Sequence, residues 1–157
     1  LKSEMYDENN NLCAIAESKF CLFDLTRGRI SKLPENIGTM YGTIDKKVFN
    51  NDDLPRLPDP TTYPIFSDKY KIRRFDLDAN MHVHNLNYLN FAYELLPESI
   101  FYGPEFNNVE IFFKHEIKLG QTIHSFLYND PDHKNGYIIC IKNEDETITH
   151  SNIKLYN

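Results

Sequence analysis

The sequence has no apolar run of membrane-spanning length and no stretch that reads as a signal peptide, which argues against a helical membrane protein. It opens at Leu1 without a methionine, as a fragment would. Cysteine is scarce: Cys13, Cys21 and Cys140 are odd in number and sit in apolar, strand-like contexts. That usage reads as buried thiols in a reducing cytosol rather than a disulfide framework, and places the protein in the cytoplasm. An excess of positive charge is lacking as well. With 17 Lys and Arg against 23 Asp and Glu, the net charge of −6 disfavours nonspecific nucleic-acid binding, which needs a basic surface to neutralise phosphates. What remains is ordinary for a soluble globular domain, 41% hydrophobic and 25% charged. The 157 residues suffice for one full core or one and a half small ones.

Residues 12–23 read as strand after an acidic, asparagine-rich turn at Asp7–Asn11. Between residues 38 and 66 the pattern dissolves around Pro55, Pro58, Pro60 and Pro64, so this stretch is expected to be a linker. Periodicity then returns. Residues 70–75 are expected to be extended, and residues 85–96 helical, stopping at Pro97. That helix carries Leu86, Tyr88, Leu89, Phe91, Ala92, Tyr93, Leu95 and Leu96, so it is apolar around most of its circumference and should be wrapped by other structure. Four strands follow. Val109, Ile111 and Phe113 alternate, as do Ile123, Ser125 and Leu127; residues 137–141 are continuously apolar, and residues 147–156 close the chain. Residues 67–157 therefore read as one α+β unit, a meander of strands wrapped around a central helix. A faint internal repeat links residues 6–12 with residues 142–148, an acidic turn followed by strand in both cases.

Chemistry concentrates just before the helix. Asp78, Asn80 and His82 stand at i, i+2 and i+4 in one loop, supplying a carboxylate, an amide and an imidazole. These are parts that hold a water and polarise a carbonyl. The same residues also suit a helix-entry turn with local backbone hydrogen bonds. His82 and His84 form an H-x-H pair, and His115 or Asp78 would have to complete a zinc shell; the spacing is short of an established site, so no metal is expected. Lys69, Lys71 and Arg73 alternate and would share one strand face, with Arg74 opposite. They fit either a solvated edge strand or a docking face for an anionic partner.

Residues 76–88, Asp-Leu-Asp-Ala-Asn-Met-His-Val-His-Asn-Leu-Asn-Tyr, resemble the D-x-D-x-N-x-H-V-x-N-x-x-Y signature of acyl-acyl carrier protein thioesterases, which are double-hotdog enzymes. Phe113-Lys114-His115-Glu116, ahead of Gly120, is similar to that family's aromatic-basic-basic-Glu strand. Ser18 to Asp24 followed by Leu33-Pro34-Glu35 resembles the end of its first hotdog, so residues 1–37 would be the terminal strands of a preceding unit whose helix is absent here. The chain departs from the plant pattern at Ile117, where plant members carry a cysteine directly after the glutamate.

The resemblance implies a hotdog fold and hydrolysis of a fatty acyl thioester on acyl carrier protein, with no cofactor. It assigns the catalytic network to Asp78, Asn80, His82 and Glu116, with Glu116, Asp78 or His82 as the base. Backbone N–H groups at the helix start, at His84 and Asn85, are ready oxyanion donors. A thioester suits such a site because a thiol of pKa about 8.5 leaves without strong acid assistance. Ile117 rules out a cysteine nucleophile at that position. Lys69, Lys71 and Arg73 become the candidate docking residues for the acidic carrier. The alternatives are a single-hotdog acyl-CoA thioesterase, using an aspartate on the same loop, and a non-catalytic acyl-thioester binding module. A hotdog sheet leaves an apolar face for a second hotdog, so a homodimer or an intrachain pair is expected.

Overall fold

The computed structural model describes residues 1–24, 26–43, 56–103 and 106–157, which fall in two compact units, Leu1–Pro55 and Arg56–Asn157. In the first unit, β1 (Lys2–Tyr6) and β2 (Leu12–Glu17) form a hairpin, and β3 (Leu22–Asp24) pairs with β4 (Arg29–Ser31). The single strand expected over residues 12–23 is thus two strands, because each half pairs with a different partner. Cys13 and Cys21 are exposed rather than buried: Cys13 lies in a two-stranded ladder that leaves β2 exposed along its length, and Cys21 lies just before β3, outside any strand. A helical turn, α1 (Ile37–Tyr41), occupies the start of the expected linker. Residues 44–55 of that linker lie outside the described residues.

The second unit contains β5 (Phe66–Lys71), α2 (Asn85–Tyr93), α3 (Glu98–Phe101), β6 (Asn108–Phe113), β7 (Thr122–Asn129), β8 (Tyr137–Asn143) and β9 (Thr149–Tyr156). The five strands form one antiparallel sheet in the order β5-β7-β8-β9-β6. Only β7 to β9 follow one another as a meander. β6 pairs with β9 at one edge, so residues 114–121 must cross from that edge to β7, beside the opposite edge. Alternation in the sequence fixes which face a side chain takes but not which strand lies beside which.

One sheet face packs against α2. Ile123, Leu127, Ile139, Ile141, Ile153 and Leu155 meet Tyr88, Phe91, Ala92 and Leu95 in a single core, the hotdog arrangement. α2 buries the face set by i, i+3 and i+4 spacing and is not wrapped all round, for Leu86 is 55% exposed. The helix also stops at Tyr93; the chain reaches Pro97 through tight i→i+3 bonds from Leu95 to Ala92 and from Leu96 to Tyr93. A residue before proline is sterically driven out of the α conformation, which ends the helix early.

The opposite sheet face is covered too, which explains the continuous apolar run of β8: Phe126, Tyr128 and Cys140 cluster there with Ile138. Residues 56–60, expected to belong to the linker, pack as part of this unit. Leu57 is buried, and its carbonyl accepts a hydrogen bond from Asn152 Nδ2 at 2.9 Å. Asp59 accepts from Lys114, Thr149 and Asn152, so one carboxylate ties this segment to the region around β6 and β9. Burial pushes the Asp59 carboxyl up, but those three donors outweigh it and hold it at about 2. A folded-state value below that of the unfolded chain gives stability that is complete above the ordinary carboxylate range and fades as pH falls towards 2. Asp59→Asn should therefore lower the urea midpoint at pH 7 and reduce the loss of stability between pH 4 and about 2, measured by urea unfolding across that range.

The faint repeat has a structural counterpart. In the β1–β2 turn Asp7 Oδ1 accepts the Asn11 N–H at 2.7 Å, and Asn10 is left-handed (φ 68°). In the β8–β9 turn Asn143 Oδ1 accepts the Ile148 N–H at 2.9 Å, and Glu146 is left-handed (φ 65°). Among the described residues no helix is long and apolar enough to cross a membrane.

Candidate functional site

The site is assembled by two irregular segments, the loop entering α2 and the crossing segment after β6. β5 ends at Lys71, Ile72 turns into the core, and a short 3-10 turn, Arg74–Asp76, replaces the extended run expected there. Asp76 makes this turn possible. Its carboxylate accepts the Arg73 N–H at 2.6 Å and the Tyr70 hydroxyl at 3.0 Å. Its carbonyl accepts the His84 N–H at 2.8 Å and Asn87 Nδ2 at 2.9 Å. Asp76 thereby staples the end of β5 to the start of α2, a role for which its place in the D-x-D pair was the only signal.

Asp78 organises the loop itself. Its Oδ1 accepts the backbone N–H of Asn80 at 2.8 Å and that of His82 at 3.2 Å, while its own N–H donates to the His82 carbonyl at 2.8 Å. Met81 lies between them in the left-handed region (φ 64°). Burial pushes the Asp78 carboxyl up, but the bonds from His82 and Asn80 more than compensate, leaving it below the usual carboxylate range. The helix-entry role weighed from the sequence is therefore what Asp78 performs, and it also fixes the backbone of His82.

The crossing segment meets this loop edge to edge. Val83 N–H donates to the Ile117 carbonyl at 2.9 Å, and His82 faces Lys118 as an antiparallel bridge. Ile117 is fully buried, so its extended neighbours Glu116 and Lys118 project together on the loop side. Glu116 Oε2 lies 2.9 Å from His82 Nε2, and Glu116 Oε1 lies 2.7 Å from Lys118 Nζ. The Lys118 ammonium, aided by His82, holds the Glu116 carboxyl below its ordinary value despite some desolvation. His82 and Glu116 are thus brought into contact across 34 residues of sequence, with Asp78 and Asn80 bonded to one another in the same loop.

Two expectations are corrected. The His84 N–H is already donated to Asp76, and the His84 ring caps α2 by accepting the Leu86 N–H at 3.1 Å. Of the two oxyanion candidates only the Asn85 N–H meets no acceptor among the described residues. Arg73 leaves the Lys69 and Lys71 row, because β5 has ended; its guanidinium lies 5.0 Å from the centroid of the Tyr70 ring. Lys69 and Lys71 remain exposed on edge strand β5, opposite His124 and Thr122 of β7. Among the described residues no three His, Cys, Asp or Glu side chains converge as metal ligands would.

The family description "Acyl-ACP thioesterase C-terminal domain" matches residues 62–156. Oleoyl-acyl carrier protein thioesterase 1 of Arabidopsis thaliana is 31% identical over 120 residues, covering 70% of this chain and 33% of that protein. A dodecanoyl-[acyl-carrier-protein] hydrolase of Cinnamomum camphora is 24% identical over 116 residues, covering 71% and 30%. The chain thus spans about a third of the length of these relatives. Among solved structures, an acyl-ACP thioesterase from Bacteroides thetaiotaomicron superposes with a TM-score of 0.74 at 14% identity, covering 99% of this chain and 60% of that one. At such identity the likeness establishes the fold.

Proposed function

The chain belongs to the acyl-ACP thioesterase family, and on that premise we propose that it hydrolyses fatty acyl thioesters carried on acyl carrier protein. The observation that carries the reading is the 2.9 Å contact of His82 Nε2 with the Glu116 carboxylate. Nε2–H donates to that carboxylate, which leaves Nδ1 as the unprotonated ring nitrogen and therefore the base. Nδ1 takes a proton from water as the water oxygen bonds to the thioester carbonyl carbon. The carbonyl oxygen becomes an oxyanion, received by the Asn85 N–H at the positive end of α2 and by the Asn80 amide. Collapse breaks the C–S bond, and the imidazolium returns its proton to the departing sulfur. Asp78 keeps His82 in place through its backbone N–H. The residue in the plant cysteine position, Ile117, points into the core, away from this pair.

His82 and Glu116 are each about half exposed, so a second hotdog, from the same chain or another copy, closes the site against water in this reading. A thiol-release assay on acyl carrier protein and acyl-CoA substrates of several chain lengths tests the proposal. Faster release from the carrier-bound series supports it. Preference for CoA substrates, or tight binding without release, would replace it with an acyl-CoA thioesterase or a binding module.

The carrier is acidic and this chain is acidic overall, so docking needs a local positive surface. Lys69 and Lys71 on the exposed edge strand offer one, with Arg73 at its end. Reversing both lysines to glutamate should raise KM for acyl carrier protein and flatten its salt dependence, with a smaller effect on a short acyl-CoA analogue. Equal effects on both substrates would mean that β5 shapes the site instead of docking the carrier.

A further inference from the structure

The Glu116 carboxylate spends both oxygens, and only one of them on His82. The other accepts from Lys118 Nζ at 2.7 Å. Lys118 lies outside the sequence signature. Three features put it in place. Ile117 is fully buried, so Glu116 and Lys118 emerge on the same side of the crossing segment. The antiparallel bridge sets Lys118 directly opposite His82. The backbone of Lys118 is itself pinned, its N–H donating to Gln121 Oε1 at 2.6 Å and its carbonyl accepting the Gln121 N–H at 3.3 Å. Gly120, in the left-handed region at φ 79°, then lets the chain turn back so that its N–H reaches the Ile72 carbonyl at 3.3 Å.

We infer that Lys118 is a positioning residue, which fixes the Glu116 carboxylate from the side opposite His82 so that its second oxygen is aimed at the imidazole; the inference rests on the hydrolytic reading above. A carboxylate held by one bond rotates about its terminal torsion, whereas one held at both oxygens presents a fixed acceptor. The fixed acceptor selects the ring tautomer and orientation that leave His82 Nδ1 towards the substrate. The groups facing Glu116 are His82 from the loop, Lys118 from its own segment and Tyr88 from α2, with His150 of β9 bonded to the neighbouring backbone. Lys118 is its only cationic lysine or arginine partner among the described residues. As an exposed ion pair it contributes little to stability, so its effect should appear in turnover rather than in folding.

The test compares Lys118→Met and Lys118→Arg in the intact chain. Two readings are taken: steady-state thiol release, and the titration of the Glu116 side-chain carboxyl by carbon-13 NMR, assigned with Glu116→Gln. Lys118→Met should lower kcat about fivefold, the scale of a single exposed ion pair. KM for acyl carrier protein and the thermal midpoint should stay unchanged. The Glu116 titration should move to higher pH, and Lys118→Arg should restore both kcat and the titration. An unmoved titration overturns the inference, as does an unchanged kcat. A rise in KM alone makes Lys118 a docking residue instead. If no substrate is hydrolysed, the functional reading fails, and with it the catalytic purpose of Lys118, while the titration still reports whether the Lys118–Glu116 contact exists.

Discussion

Glu116→Gln lowers kcat for acyl thioester release by at least about a hundredfold, the lower end for removing a positioned acid–base partner. Glutamine keeps the size and shape of the side chain but removes the charge that accepts from His82 Nε2 and from Lys118. It can also turn its amide N–H towards the imidazole, which favours the wrong tautomer. The fold should survive, because Glu116 is about half exposed and contributes nothing to the core. His82→Ala should lose at least as much, and Asp78→Ala nearly as much, since the His82 N–H then has no carboxylate to hold the loop. Single-turnover thiol release with circular dichroism on each variant checks this. Near-normal turnover in Glu116→Gln would remove Glu116 from the mechanism and leave water activation to Asp78 or to His82 alone.

Ile117→Ala produces a loss of a different kind, about 2–5 kcal/mol of unfolding free energy, whereas Ile117→Val should cost only about 0.5–1.5. Ile117 is fully buried in the same core as Val83, Tyr88 and Phe91. Truncation leaves a cavity directly behind the segment that carries Glu116 and Lys118, and the surrounding strands can close it only partly. Urea unfolding measures the loss. If the alanine variant is destabilised by less than about 1 kcal/mol, the packing of the crossing segment on the α2 side of the sheet is wrong. The comparison also separates two neighbouring positions: residue 116 acts on chemistry, residue 117 on the core that holds it.

Much of the fold is legible from periodicity. The 3.6-residue pattern in residues 85–96 and the alternation in β7 mark a helix and a half-buried strand because burial on one face requires those spacings. The run at residues 137–141 breaks alternation, and the structure supplies the reason: both faces of β8 are covered. At its C-terminal end the expected linker is packed structure, part of the second unit. Proline content excludes regular strand and helix around residues 58–60, but it does not exclude packing, and Asp59 becomes a buried-strand partner through side-chain bonds alone.

The candidate site divides in the same way. Asp78, Asn80 and His82 are legible because they lie within five residues, and their loop bonds are local. By itself the sequence determined the residue types present, the amphipathic spacing of helix and strands, and the short-range turn before α2, all set by interactions between near neighbours. Only the tertiary structure decided that β6 takes the edge beside β9, that the following segment therefore crosses the sheet, and that it meets the pre-helix loop there. That crossing joins Glu116 and Lys118 to His82, whereas the bond from the His84 N–H to the Asp76 carbonyl is made within the loop and leaves Asn85, among the described residues, as the oxyanion candidate whose N–H meets no acceptor. Strand order and hydrogen-bond partners depend on which distant backbone groups satisfy one another, and no pattern confined to one segment records that choice.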